Sequence, residues 1–61
     1  MKVEINRYLF AMLGVQSLVE LWWHRPNRNW DGKTPDEIYQ SGPEGREQVF
    51  AYVRKCADGE W

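Results

Sequence analysis

Residues 22–37 read Trp22-Trp23-His24-Arg25-Pro26-Asn27-Arg28-Asn29-Trp30-Asp31-Gly32-Lys33-Thr34-Pro35-Asp36-Glu37, and this stretch decides the fold. It ends one helix, turns the chain and starts another. His24 and Arg25 suit the negative end of a helix dipole, and Pro26 restricts the residue before it to extended backbone. Asn27 to Lys33 reads as loop, with Asp31-Gly32 as a turn signal. Thr34 is then placed to cap, Pro35 suits a first helical position, and Glu37 completes a reciprocal capping box.

Upstream of the break, Val15, Leu18, Val19 and Trp22 share one helical face, with Leu21 and Trp23 on its flanks. Together they spread apolar surface over roughly half the circumference, more than one neighbouring core face requires. Trp22 and Trp23 project about 100° apart, so they are expected in different pockets. Further upstream, Ile5, Tyr8, Leu9, Met12 and Leu13 form an apolar stripe, and Phe10 falls well off it. Gly14 is a natural break, with Gln16 or Ser17 near the next start; the two segments are either separate helices or one kinked helix. Downstream, a short helix carries Ile38 inward, with Tyr39 as a second candidate, and stops at Ser41-Gly42. Pro43-Glu44 opens the last helix. Its stripe is Val49, Phe50, Val53, Cys56 and Ala57, with Tyr52 at the margin and Gly59 as its C′ residue. Without any alternating run long enough for a sheet, the chain reads as all-α: one domain, residues 1–61, a small bundle of about four short helices.

A chain of 61 residues holds one domain at most. A core of this size rarely supplies more than ~3–5 kcal/mol, so a staple, a metal or a partner is usually needed. Cys56 and His24 are the only residues of their kinds, which rules out an internal disulfide and disfavours a His/Cys metal site. Oligomerisation remains, and the wide apolar arc points to a homodimer. Met1 is the start expected of a complete small reading frame. A formal charge of −1 disfavours nucleic-acid binding by this chain alone, since phosphate contacts demand basic surfaces. Neither a membrane span nor a signal peptide is legible, and with a lone thiol this points to the cytoplasm.

No catalytic constellation accompanies these features. A nucleophilic Cys56 would need an activating base nearby; its simplest reading is a small buried hydrophobe. Asp36 and Glu37 sit where a helix N-terminus favours acid for electrostatic reasons. Arg46, beside the last stripe, is explained by snorkelling. The chain therefore reads as a binding protein without enzymatic activity, cofactor or metal.

The order Trp22-Trp23, Pro26-Asn27, Gly32-Lys33-Thr34-Pro35 with Ile38 behind it resembles the toxin-binding domain of MbcA/ParS/Xre-type antitoxins. That family shows a Trp, then Pro-Asn, then an apolar residue before Gly-x-Thr-Pro; Trp30 fills the apolar slot here. An apolar residue is also expected ahead of the terminal glycine, and Cys56 stands there before Gly59. The resemblance covers about residues 5–61 and implies a helical module that binds and neutralises a RES-type, NAD-consuming toxin by stoichiometric occlusion. Family members commonly dimerise, and many carry a separate DNA-binding domain. This chain leaves no room for such a domain, and it reduces any C-terminal blocking segment to Glu60-Trp61. An alternative partner is a host or defence protein bound by a phage or mobile-element copy of the module. A third reading is a small nucleic-acid-binding regulator.

Aromatic residues make up 15% of the chain, more than so small an interior can hide, and large amphipathic rings are enriched at interfaces. Trp22 belongs to the core by periodicity. Phe10 and Trp23 are open between packing and a partner surface. Trp30 reads as a lid over the helices or a protruding anchor, and Trp61 as a frayed end or an anchor. Arg28 and Lys33, with Arg25 and His24, form either a solvated loop or a basic patch. Candidate partner contacts are thus Phe10, Trp23, Arg28, Trp30, Lys33 and Trp61.

Overall fold

The computed structural model describes residues 2–59, so Trp61 and the expectations placed on it lie outside the described residues. Within them are four α-helices, α1 (Lys2–Leu13), α2 (Gln16–Trp23), α3 (Pro35–Gln40) and α4 (Pro43–Ala57), with one 3-10 turn over Arg28–Trp30 between α2 and α3. No described helix is long and apolar enough to cross a membrane. The Cα radius of gyration is 10.6 Å, against the roughly 10.5 Å expected of a packed domain this long.

Helices α1 and α2 are separate. Gly14 takes φ +79°, and its N–H donates to the Phe10 carbonyl at 2.7 Å, the αL ending that glycine favours. Val15 then forms the extended residue before α2 without a side-chain cap, and the helix starts at Gln16, where the sequence places it. Thr34 and Glu37 form the reciprocal capping box at the start of α3. Glu37 N–H donates to Thr34 Oγ1 at 3.1 Å, and Thr34 N–H donates to Glu37 Oε1 at 3.1 Å.

The core consists of Ile5 and Leu9 from α1, Val19 and Trp23 from α2, and Val49 and Val53 from α4. Pro35 is buried with them, and Met12, Leu13, Trp22, Ile38, Tyr39, Phe50 and Tyr52 pack around them half-buried. On α2 the structure corrects the expected face. Its buried ridge is Val19–Trp23, an i, i+4 pair, while Val15, Leu18 and Leu21 are 51%, 43% and 49% exposed. The helix is rotated so that the Trp23 indole, rather than the expected Trp22 ridge, fills the space between α1 and α3. On α4, Cys56 is half-buried and Ala57 exposed.

Helices α3 and α4 approach closely at their corner. Gly45, in the first turn of α4, is buried. A Cβ there would overlap the Ile38 carbonyl oxygen and Ser41 Oγ and sit 2.9 Å from the Ile38 carbonyl carbon. Backbone on backbone leaves little to give. Gly45→Ala should therefore lower stability by about 2 kcal/mol, the scale of overpacking a close contact, although alanine is the better helix former. The melting temperature by circular dichroism should fall by roughly 10 °C; a rise would contradict so close a packing of α3 on α4.

Candidate interaction surface

The segment between α2 and α3 is an ordered ring closed by Asn27. The Asn27 N–H donates to the Lys33 carbonyl at 3.0 Å, and the Asn27 carbonyl accepts from Trp30 N–H at 3.1 Å and Gly32 N–H at 3.0 Å. Its side-chain Oδ1 accepts from Asn29 N–H at 2.8 Å. This Asx geometry nucleates the 3-10 turn, because the side-chain oxygen satisfies a donor that the first turn leaves open. Asp31 (φ 55°) and Gly32 (φ 84°) then reverse the chain in left-handed backbone.

The ring aims Trp30 at α4. Its indole packs 5.1 Å from the Tyr52 ring at 59° and is half-buried, which is the lid reading rather than a protruding anchor. Arg28 and Lys33 flank it on the same loop, both exposed, as are His24 and Arg25.

Trp23 is not the exposed partner contact expected among the candidates: it is 4% exposed. Its Nε1–H donates to Asn6 Oδ1 at 2.7 Å. Its ring meets Trp22 at 5.3 Å and 84° and Tyr39 at 5.5 Å and 87°, the edge-to-face arrangement aromatic pairs favour. Lys2 Nζ lies 4.9 Å from its centroid. Although the two tryptophans touch, they line different depressions, Trp22 with Leu9, Met12 and Tyr52 and Trp23 with Lys2, Asn6 and Val19. Arg46 does more than snorkel, its guanidinium lying 5.4 Å from the Tyr39 ring.

The aromatic excess is thus mostly spent inside. Tyr8 and Phe50 make a fourth pair at 6.1 Å, so among the described residues every ring except Phe10 belongs to an aromatic pair. Phe10 is 49% exposed and Val3, on the same face one heptad earlier, 66% exposed. They border an open depression with Asn6, Arg7 and Gln16. Of the candidates, then, Arg28, Trp30 and Lys33 come together on one loop and Phe10 stands apart on α1.

The aliphatic edge of α2, made by Val15, Leu18 and Leu21, was not among the candidates. Its signal was present in the over-wide apolar arc, but periodicity does not say which side of the arc faces inward. Among the described residues no three His, Cys, Asp or Glu side chains gather as metal ligands. No protein-family model, no curated protein and no solved structure matches the chain.

Asn27→Ala should remove the side-chain acceptor of the ring and cost about 1 kcal/mol, as loss of a helix cap does. Hydrogen exchange should report the Asn29 amide opening about fivefold faster. Unchanged protection would mean that the backbone bonds alone hold Trp30 in place.

Proposed function

We propose that the chain is a non-enzymatic protein-binding module that neutralises its partner by stoichiometric occlusion. This is the role of the MbcA/ParS/Xre-type antitoxin domains that its Trp-Trp, Pro-Asn and Gly-x-Thr-Pro order resembles, and the partner in this reading is a RES-type toxin. The observation that carries it is Phe10. It is a large ring on the outer face of α1, without a ring partner among the described residues and half-exposed beside Val3. Asn6, Arg7 and Gln16 surround it, an apolar centre with a polar rim of the kind in which interfaces concentrate their affinity.

The aliphatic edge of α2 supports the second part of the proposal, a homodimer. At eight residues α2 is too short to be stable by propensity alone. Yet it holds Val15, Leu18 and Leu21 in water, and a two-fold contact between copies would cover them. The two surfaces are separate, so one copy has room for both.

Co-expression with a RES-type toxin should restore growth and yield a co-purifying complex. Phe10→Glu should lose both while keeping its helical circular dichroism. Neither rescue nor complex from the unaltered chain would discard the toxin-binding reading. Independently, light scattering at micromolar concentration should give the mass of two chains, and Leu18→Glu with Leu21→Glu should give that of one. A monomer from the unaltered chain would remove the dimer and leave the Phe10 face untouched.

A further inference from the structure

A depression of about 580 Å³ runs between the Asn27 ring and the outer face of α4. It is separate from both surfaces proposed above. Asn29 and Trp30 form one wall; Gln48, Ala51, Tyr52 and Lys55 recur at i, i+3, i+4 and i+7 along α4 and form the other, with Cys56 at the end. Its volume lies within the roughly 300–1,000 Å³ of ordinary ligand clefts.

Apart from one cation the described lining is uncharged, and its amides and phenol can donate as well as accept. Every polar group offers a donor: the Trp30 indole N–H, the Asn29 and Gln48 amides, the Tyr52 hydroxyl and the Lys55 ammonium. Among the described residues Lys55 is the only charged side chain lining the cleft. Among the described residues neither the Trp30 indole N–H nor the Lys55 ammonium has a hydrogen-bond or ion-pair partner. Two other depressions mix charges, one Glu4 with Arg7 and one Lys2 with Glu20, whereas the Phe10 depression has Arg7 as its one charge. Between these donors, Ala51 is a small floor beside the paired Trp30 and Tyr52 rings. An apolar side chain can rest there with most of its surface covered.

We propose that this cleft binds an extended acidic segment of a partner protein, seating one apolar side chain over Ala51 against Trp30. A neighbouring carboxylate meets Lys55, and backbone carbonyls accept from the Asn29 and Gln48 amides. The match is chiefly one of charge: the Lys55 ammonium calls for an anion, and the indole N–H and the amides can donate to backbone carbonyls. An extended peptide supplies carbonyl acceptors and an apolar side chain together, which a small anion does not.

The lone cysteine supplies the readout. Cys56 lines the end of the cleft and is half-buried, so a bound segment shields its thiol. The probe is the blocked peptide acetyl-Asp-Glu-Leu-Asp-Glu-amide, with Lys replacing each acidic residue in the control. The acidic peptide should slow alkylation of Cys56 by iodoacetamide in a saturable way and shift the Trp30 indole N–H resonance; the basic control should do neither. Lys55→Glu should weaken binding about tenfold or more, the loss expected of a charge-assisted contact. Ala51→Arg, at an exposed helix position that leaves the fold intact, should abolish it by filling the floor. Equal protection by both peptides, undiminished binding to Lys55→Glu, or no protection at millimolar peptide would overturn the proposal. So would equal protection by acetate at the same concentration, which would make the cleft a simple anion site.

Discussion

Trp23 is the contact on which the rest of the structure depends. Its indole reaches α1 through the Asn6 hydrogen bond and the Lys2 ammonium, and α3 through the Tyr39 ring, while its own helix presses Val19 into the same core. A ring of this size buries about 150–250 Å², worth about 4–6 kcal/mol of gross apolar burial. Its N–H is satisfied, so the burial carries no unpaired-donor cost.

That anchoring has a consequence for the surface. With Val19 and Trp23 turned inward, the opposite flank of α2 is left carrying Val15, Leu18 and Leu21 in water. The short helix cannot bury both sides of an arc so wide. The molecule thereby acquires an aliphatic edge on α2, an isolated aromatic patch at Phe10 on α1, and a donor-lined cleft beside Trp30. Aromatic pairing explains why the rings are not all outside: Tyr8 with Phe50, Trp22 and Tyr39 with Trp23, and Trp30 with Tyr52 supply bulk that a longer chain would draw from aliphatic layers.

Local chemistry carried the architecture well where a residue acts on its own neighbours. Gly14, the Thr34–Glu37 box and Gly59 at φ +86° stand where capping and turn rules place them, because each satisfies backbone groups within a few residues. The candidate site was legible only in part. Trp30 and its flanking Arg28 and Lys33 were visible as a loop, but the Asn27 ring that orders them depends on several simultaneous bonds. Trp22 was favoured over Trp23 for the core because periodicity defines an arc and not its inward direction. Gly45 gave no readable signal beyond a glycine inside a helix, since its role is set by a carbonyl from another helix.

The sequence by itself determined where helices begin and end and that no sheet forms. Those outcomes rest on backbone hydrogen bonds closed within a turn or two of the residues concerned. Only the tertiary structure decided which tryptophan is buried, how α2 is rotated, and which apolar and donor groups remain uncovered. These are competitions for one small interior, settled by the approach of α3 to α4 at Gly45 and the reach of Asn6 to an indole across 17 residues, neither of which is a property of any local segment.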